Sequence, residues 1–500
     1  MLTITRKLAE QLRKVFRQAL LANTNSRSPM PPVEFIGSRQ GLCVRCHTAE
    51  AAAEFRLDGE QAEETILAPW DLLTDTVGSG RDRDIELRRE NGHVLASWQN
   101  GRVPRAAQYH TPAENEVPWP DSPERLVENP PELLSALAEA AATTDTDSAR
   151  YSLSCLQLCG TEGKLVATDG HHLLAHRGFE FPWEGEILVP GNRVFGSAVL
   201  DTGSPVLIGK TDDWFILQVG QWTFWLKINK DGRFPMVERH ICEPETAVTS
   251  VELSQSDRVF LAENLPSMPG DDLPFAPVTL DVNGTVAVRA QGQDPSSRME
   301  LALTGATCRG EPIRLMINRR YLARAAKLGF ERLHIFGDKQ PMQAADDSRR
   351  YVWAVLDARS CIEPAENMTR IESPAPGTVS SVDPPRSPIT RSNNTPMPRS
   401  STTSTAHGNG NGNGNGNGNA QAASNGHTNG HANGNGHARS ETDTGQTSGA
   451  IEQVIALRTT LREAAAQATE LVRLLKAEKR QTRQLRSALS SLRELQPLEI

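Results

Sequence analysis

The stretch Leu165-Val166-Ala167-Thr168-Asp169-Gly170-His171-His172-Leu173 decides how this sequence folds. Apolar residues lead up to Thr168, and the Asp169-Gly170 pair is typical of a tight turn between two strands. The pattern predicts a hairpin with strands at 164–168 and 172–176. Asp169, His171 and His172 also suggest a metal or acid–base site, but no further carboxylate or nucleophile cluster accompanies them in the sequence. We therefore favour the turn.

Short strands continue on both sides of this hairpin. A second hairpin is predicted at 214–226, where the two-residue turn Gly220-Gln221 separates two runs rich in aromatic and aliphatic residues. In each third of the region before residue 363, a strand-like stretch or turn precedes a helix and then hairpins. This arrangement predicts an α+β fold built from repeated units without detectable sequence identity. The helical patterns are few and isolated, at 6–21, 131–142, 192–200, 256–264 and 318–328.

The overall composition excludes several classes of protein. The 500 residues include 53 Lys and Arg against 61 Asp and Glu, so the net charge of −8 rules out binding of nucleic acid through overall charge. No stretch approaches the roughly 18 uncharged apolar residues of a membrane span. The first twenty residues carry too many charges for a signal peptide, and seven cysteines are a poor basis for a disulfide scaffold. We expect a cytoplasmic protein that does not bind a membrane.

The composition changes sharply near residue 363. Residues 363–449 are dominated by Pro, Ser, Thr, Asn and Gly, with uninterrupted Gly-Asn alternation at 408–419. Such a segment has little to bury and much backbone entropy to lose, so it predicts a disordered linker. Its histidines could bind a metal weakly, but their spacing fits no metal-ligand pattern and we favour a spacer.

A heptad pattern follows the predicted linker. With Val454 at position a and Leu457 at position d, six heptads are mostly apolar at both positions, apart from one polar layer at Glu478 and Thr482. The pattern predicts a coiled-coil helix at 450–496 and therefore self-association or a helical partner. The alternative is one long helix that packs back against the rest of the protein.

Removing the tail sharpens the charge argument. Residues 363–500 carry 14 basic and 12 acidic residues. Residues 1–362 therefore carry 39 basic and 49 acidic residues, a net charge of −10. Any surface for nucleic acid must therefore be a local basic patch. Two amphipathic helices each carry a net +4. Solvated basic faces are the alternative to phosphate contact. The candidate DNA-binding residues, with two further arginines, are Arg6, Lys7, Arg13, Lys14, Arg17, Arg27, Arg193, Arg319, Arg320, Arg324 and Lys327.

One short motif suggests a cofactor. Cys43-Val44-Arg45-Cys46-His47 matches the C-x-x-C-H pattern of haem attachment, but its residues also alternate as in a strand, and no second ligand pair follows for zinc. We find no P-loop, no nucleophile elbow and no G-x-G-x-x-G. The sequence therefore predicts no catalytic residue, no metal and no cofactor, and we expect a protein that is not an enzyme.

Several motifs, considered as a set, resemble one known family. The opening stretch resembles the second-domain signature of the bacterial DNA polymerase III beta subunit, the sliding clamp. Asp231-Gly232-Arg233-Phe234-Pro235 resembles a run of that family at the matching distance downstream. Ile317-Asn318-Arg319-Arg320-Tyr321-Leu322 is similar to its third-domain helix entry, and 350–356 to its closing strand. The resemblance covers roughly residues 1–360.

The resemblance implies a fold and an assembly. It implies a three-domain clamp fold, with domains at 1–123, 124–245 and 246–362, each with two helices facing inward and antiparallel sheets facing outward. Two chains would close head to tail into a ring around double-stranded DNA, which is held by topology rather than by base contacts. The protein would be a non-catalytic accessory subunit of a DNA polymerase III holoenzyme, near the nucleoid. Its expected partners are a second copy, a DNA polymerase, a clamp loader and a coiled-coil partner.

The resemblance also implies a cleft for short linear motifs of partner proteins between the second and third domains. His172 stands where the family usually has Arg, and Val355-Leu356-Asp357 replaces its usual M-P-M stretch. The alternative is a non-replicative clamp-like scaffold that recruits partners through the coiled coil. The resemblance places in the cleft Leu153, Thr168, Gly170, His171, His172, Leu173, Pro235, Arg239, His240, Phe275, Asn318, Tyr321, Val352, Trp353 and Ala354.

Overall fold

One order of elements occurs three times along the chain: a strand, a helix, four strands (five in the third occurrence), a second helix or helical turn, and three strands. The computed structural model describes residues 1–21, 29–78, 83–145, 152–294, 297–366 and 368–375. Arg27, most of the predicted linker and the predicted coiled coil lie outside these residues. The threefold order confirms the prediction of an α+β fold built from repeats. The predicted boundary at 123/124 falls between the first and second repeats, and that at 245/246 falls in a 3-10 turn, Pro244–Thr246.

The elements of the first repeat are β1 (Leu2–Thr5), α1 (Arg6–Leu20), β2 (Val33–Gly37), β3 (Gly41–His47), β4 (Ala51–Asp58), β5 (Glu64–Ala68), α2 (Asp71–Asp75), β6 (Asp84–Glu90), β7 (His93–Asn100) and β8 (Val103–His110). Those of the second are β9 (Val127–Asn129), α3 (Glu132–Ala141), β10 (Cys155–Cys159), β11 (Lys164–Thr168), β12 (His172–Arg177), β13 (Glu186–Pro190), the 3-10 turn Arg193–Gly196, β14 (Val206–Lys210), β15 (Trp214–Val219) and β16 (Trp222–Lys227).

The third repeat contains one additional strand, β21, and is followed by two more. Its elements are β17 (Thr249–Glu252), α4 (Gln255–Asn264), β18 (Pro277–Val282), β19 (Val286–Gln291), β20 (Arg298–Leu303), β21 (Thr307–Gly310), β22 (Ile313–Asn318), α5 (Arg319–Lys327), β23 (Arg332–Ile335), β24 (Met342–Ala345) and β25 (Arg349–Trp353), and the two strands that follow are β26 (Val355–Leu356) and β27 (Thr369–Glu372).

Each repeat forms two antiparallel half-sheets, and neighbouring repeats join edge to edge. Strand β4 of the first repeat pairs with β16 of the second, and β12 of the second pairs with β25 of the third. These joints produce an eight-stranded and a nine-stranded sheet. The half-sheet β1-β6-β7-β8 and the sheet that contains β22-β18-β19-β20 remain separate. Pairing satisfies the backbone groups that an open strand edge would expose.

The helices form one row along the molecule. Helix α2 contacts α1, α1 contacts the 3-10 turn Arg193–Gly196, that turn contacts α3, and α5 contacts α4. Arg324 of α5 donates to the carbonyl of Ala142 at the end of α3, which links the two halves of the row. The row packs on the sheets through α1 against β4 and α3 against β11. Sheets therefore form one layer and helices the other.

Local signals account for the main helices. Thr5 caps α1, because its side chain accepts a hydrogen bond from the N–H of Leu8. Asn318 caps α5 by accepting from the N–H of Arg320. The apolar face of α1 is buried as its spacing predicts, with Leu8, Leu12, Val15, Phe16, Ala19 and Leu20 in the core. The two predicted hairpins are also confirmed, with turns between β11 and β12 and between β15 and β16.

Two predictions about elements are wrong. The helix predicted at 192–200 is only the 3-10 turn Arg193–Gly196, because the backbone becomes extended at Ser197, directly after a glycine. The predicted linker does not begin at residue 363. Thr369–Glu372 forms strand β27 beside β20, and Ser373 is buried. An ordered segment therefore continues at least to Ala375.

Candidate functional site

A cleft lies at the joint between the second and third repeats, where the opening stretch of the sequence meets β25. His172 pairs with Trp353, Leu173 pairs with Val352, and the N–H of Ala354 donates to the carbonyl of His171 at 3.0 Å. The cavity measures about 480 Å³. It is lined by Thr168, Gly170, His171, His172, Leu173, Arg233, Phe234, Pro235, Met236, Val237, Arg239, His240, Pro341, Val352, Trp353 and Ala354.

The turn at Asp169 shapes one wall of this cleft. The Asp169 carboxylate accepts the backbone N–H groups of His171 at 2.8 Å and His172 at 2.9 Å. Its other oxygen lies 3.3 Å from Nε2 of His172. Burial opposes ionisation of Asp169, but these hydrogen bonds and the His172 ring prevail and lower its pKa. The carboxylate is thus a structural anchor for the turn, which agrees with the interpretation favoured from the sequence.

Aromatic rings surround His172. Its ring lies 4.6 Å from the ring of Tyr321 and 5.5 Å from that of Tyr351, measured between centroids. Burial raises the pKa of Tyr321 to about 12, with a contribution from Asp169. The phenol therefore stays neutral at physiological pH and acts as a hydrogen-bonding and stacking group. This stack packs the start of β12 against α5.

Phe275 projects from a strained loop beside the cleft. Its side chain is 61% exposed, and its ring lies 6.4 Å from that of His171. The backbone φ angles of Phe275 and Ala276 are 64° and 40°, in the left-handed region that favours glycine. Such strain persists only where surrounding contacts hold the backbone, and it concentrates at functional sites.

Arg319 holds this loop in place. Its guanidinium donates to the carbonyls of Met268, Pro269 and Pro277, and its Nε donates to that of Ala276 at 3.2 Å. The residue is fully buried. The prediction that Arg319 contacts DNA is therefore wrong, because its donors are already used inside the protein. It supports the loop that presents Phe275.

Most of the predicted cleft residues line this cavity, and four do not. Leu153 is buried, and a side chain added at Gly170 would meet it at 3.9 Å. Asn318 is buried as the cap of α5, and Tyr321 is half-buried under His172. The fourth is Phe275. The sequence interpretation did not assign Arg233, Phe234, Met236, Val237 or Pro341 to the cleft, although Arg233 and Phe234 belong to a motif that it quoted.

The floor of the cleft is apolar and its rim is basic. Val166, Leu173, Ala175, Val237 and Val352 form a small buried cluster below it. At the rim Arg233, Arg239 and His240 are exposed, and the Met236 side chain is 74% exposed. An apolar groove with a few polar groups at its edge suits a short peptide better than a small polar substrate.

The remaining basic candidates divide into exposed and engaged groups. Lys7, Lys14 and Arg17 of α1 are exposed, as are Arg193 and Lys327, whereas Arg13 is half-buried. Arg320 is exposed but pairs with Asp271 at 3.1 Å. Arg6 is 2% exposed, and its Nε donates to the carbonyl of Thr76 at 2.8 Å. The prediction that Arg6 contacts DNA is therefore wrong for the same reason as for Arg319.

Arg324 has a structural partner as well. Its guanidinium donates to the carbonyls of Glu139 and Ala142 and to the hydroxyl of Thr143, at 2.7–2.8 Å. A cation at this position satisfies the free carbonyls at the end of α3 and interacts favourably with the helix dipole. Its charge is thus directed at α3 rather than at solvent.

The C-x-x-C-H motif forms part of strand β3. Burial alternates along that strand, so that Cys46 is buried and Cys43 lies on the opposite face. Burial raises the pKa of the Cys43 thiol to about 11, with a contribution from Glu54. The two thiols point apart and cannot ligate one ion. Among the residues that the structure describes, no group of three or more His, Cys, Asp or Glu is placed to hold a metal.

Comparison with known proteins identifies the fold. No protein-family model and no curated protein matches the sequence. Several solved structures do match, over 71% of this chain and 98–100% of the other chain. They include DNA polymerase III subunit beta from Pseudomonas aeruginosa (TM-score 0.58, 18% identity), the beta subunit of Streptococcus pyogenes DNA polymerase (0.59, 15%) and a putative beta subunit from Eubacterium rectale (0.59, 13%). The described part of the chain therefore has the clamp fold.

No described helix is long and apolar enough to cross a membrane.

Proposed function

We propose that this protein is a DNA sliding clamp, a ring that encircles double-stranded DNA and tethers a DNA polymerase during replication or repair. It would act without catalysis, as an accessory subunit, and would not read the DNA sequence. The observation that carries the proposal is the single row of helices, which concentrates exposed basic residues in a body whose net charge is −10. Weak contacts with the phosphate backbone suit a protein that slides.

The positions of these charges favour a role outside helix stability. Lys7 lies in the first turn of α1, and that turn contains no acidic residue. The N-terminus of a helix carries a partial positive charge, so a cation there is unfavourable for the helix itself. A negatively charged partner opposite the helix row would offset that cost.

The threefold repeat supports a closed ring. At both joints the third of the four strands that follow the first helix of a repeat pairs with the final strand of the next repeat, as β4 with β16 and β12 with β25. The same rule, applied to the strands left over, pairs β20 of one copy with β8 of a second copy. Two copies related head to tail would then close a ring of six repeats with no open edge at these joints.

Retention on DNA tests this proposal. The full chain, loaded by the clamp loader of the same organism, should remain on nicked circular DNA during gel filtration and be lost after the DNA is cut once. Replacing Lys14 and Arg17 by Ala should lower the salt slope of equilibrium DNA binding by roughly 0.9 for each lost phosphate contact. Arg332→Ala, at an exposed position on β23, is the matched control. Equal retention on circular and cut DNA would contradict the ring mechanism.

We further propose that the cleft binds a short motif of the polymerase. A peptide with the clamp-binding segment of DNA polymerase III from the same organism should bind the full chain, and Phe275→Ala should weaken it about tenfold or more. Val259→Ala, which truncates an exposed side chain on α4, should leave affinity unchanged. Equal affinity in both variants would exclude Phe275 from the site.

The alternative role as a scaffold depends on residues 450–496, outside the described residues, and no observation on the described residues favours it.

A further inference from the structure

We propose that the C-terminal strap, residues 363–375, covers the edge of the third repeat at which a second copy would close the ring, and that ring closure requires its displacement. The inference rests on the proposed clamp function, because it concerns the joint between two copies. It assigns to the strap a role in controlling assembly.

The edge in question is that of β20. In the first two repeats the equivalent strands, β4 and β12, pair with a neighbouring repeat. In the third repeat β20 pairs with β27 of the strap instead, with Met299 opposite Thr369 and Leu301 opposite Ile371. One chain segment therefore takes the place that a strand of another repeat occupies at the two equivalent joints.

The complementary edge is open in this chain. Strand β8 ends the half-sheet β1-β6-β7-β8 and pairs only with β7 among the described residues. Most of its side chains are exposed, including Val103 at 54%. An exposed strand edge is a template for pairing with another chain. One of the two closing strands is thus available, and the other is covered.

The pairing of β27 differs from the joints between repeats. It is parallel, whereas the other strand pairings among the described residues are antiparallel. The four residues of β27 are all exposed, and a cavity of about 770 Å³ lies between the strap and strands β19 and β20. A short, exposed, parallel strand above a cavity is less firmly attached than a strand within a packed sheet.

Specific polar contacts nevertheless anchor both ends of the strap. At the C-terminal end the Ser373 hydroxyl donates to Asp257 at 2.6 Å, and the N–H of Thr304 donates to that hydroxyl at 2.8 Å. Asp257 also forms the capping box of α4. At the N-terminal end the N–H of Ile362 donates to the Thr279 hydroxyl at 2.8 Å. These contacts fix the register of β27 on β20.

A charged row extends across the sheet to the strap. Asp281, Arg289 and Glu300 lie on adjacent strands, and Arg289 bonds to both carboxylates. Arg370 of β27 adds a fourth member, 3.2 Å from Glu300. After the strap leaves, Glu300 keeps its bond to Arg289, and Asp281 is also paired with Arg314 at 3.2 Å. Two arginines then balance the two carboxylates, so neither is left unpaired. The strap can therefore detach from β20 and rebind to it in one defined register.

A proline pair tests the inference in the full chain. The N–H of Ser373 donates to the carbonyl of Ala302 at 2.9 Å. Because N–H directions alternate along a strand, the N–H of Ile371 also faces β20, whereas that of Glu372 points away. Ile371→Pro should therefore detach β27, and Glu372→Pro is the matched control, because proline is tolerated at an edge position whose N–H faces solvent.

The readout is hydrogen–deuterium exchange of the β8 peptides as a function of protein concentration, which reports this joint and not association through the tail. We expect β8 in Ile371→Pro to become protected at a concentration at least tenfold lower than in the wild type or in Glu372→Pro. Exchange at β6 and β7 should be unchanged, which verifies the fold.

The other outcomes overturn the inference in distinguishable ways. If β8 becomes protected at the same concentration in all three chains, the ring closes but the strap does not control it, and the clamp function stands. If β8 is never protected in any chain, two copies do not join through β8, and both the inference and the proposed ring are wrong.

Discussion

The two joints between repeats use the same strand pairing but different chemistry. At the first joint Trp222 of β16 lies opposite Phe55 of β4, with ring centroids 4.8 Å apart, and contacts Phe16 of α1 edge-on at 5.9 Å. Buried residues of the first and second repeats form one continuous hydrophobic cluster. The first joint is therefore part of a shared core.

The second joint buries only a small apolar cluster beneath the cleft and is otherwise polar and partly open. Here β12 carries His172 and His176, and β25 contributes Arg349, which lies 3.9 Å from Glu139 of α3. The third repeat has its own hydrophobic cluster, to which the second contributes Leu174. The comparison teaches that strand pairing alone connects repeats, whereas the side chains decide whether a joint is sealed or leaves a cleft. The candidate site lies at the open joint.

The largest effect should come from breaking the sealed joint. Trp222→Ala removes a buried ring that contacts both repeats and leaves a cavity, so we expect a loss of about 3–5 kcal/mol in the free energy of unfolding. Chemical denaturation measures it, and exchange should rise in both β4 and β16. Trp214→Ala, at a partly buried position outside the joint, should cost less. Equal losses would mean that the first joint does not depend on its aromatic contacts.

The next largest effect concerns the loop beside the open joint. Arg319→Ala leaves the carbonyls of Met268 and Pro269 buried without their donor, so we expect a loss of about 3 kcal/mol. Arg320→Ala, at the neighbouring exposed position, should change stability by less than about 0.5 kcal/mol. Thermal unfolding compares the two, and deuterium exchange of the Phe275 loop locates the change. Similar small effects in both variants would contradict the buried role of Arg319.

A smaller effect is expected at the polar contact between α5 and α3. Arg324→Ala removes three hydrogen bonds at the C-terminal end of α3, and we expect a loss of about 1–2 kcal/mol. Lys327→Ala, exposed on the same helix, is the matched control. If Arg324→Ala and Lys327→Ala lose the same free energy of unfolding, the hydrogen bonds from Arg324 to α3 do not stabilise the second joint.

The smallest effect is a pH dependence confined to the second joint. Burial and the nearby Arg349 lower the pKa of His176 to about 4 from its ordinary 6.5. The folded protein therefore binds this proton less tightly than the unfolded chain does. The contribution of His176 to the free energy of unfolding is complete above about pH 6.5 and is lost as the pH falls toward 4. Because His176 is partly exposed, we expect roughly 1 kcal/mol between pH 7 and pH 5.

Thermal unfolding of the wild type and His176→Gln at pH 7 and pH 5 checks this expectation. The variant should lose less stability in acid than the wild type does. Asp169 does not interfere, because its pKa is lowered: its contribution to stability is complete above about pH 3.8 and is lost only below that value. Identical acid sensitivity of the two proteins would show that His176 is not the responsible group.

Much of the candidate site follows from local patterns. The Asp169-Gly170 turn and the strands around it were predicted because turn residues act within a few positions. The Phe275 loop could not be predicted in detail, because its strain depends on Arg319, 43 residues away. The helix predicted at 192–200 failed because its apolar pattern did not take account of Gly196, after which the backbone becomes extended at Ser197.

The sequence by itself determined the repeated α+β order, the main hairpins and the boundaries of α1 and α5, because periodicity, caps and turns act over short distances. Only the tertiary structure decided which charges are available. Arg6 and Lys7 are adjacent, yet Arg6 is buried by partners 70 and 93 residues away. Likewise, Thr369–Glu372 alternates β-branched and charged residues, but a pattern of four residues is too short to predict a strand by itself. The segment is a strand because β20 offers an edge, and contacts between distant segments form only when the whole chain is folded.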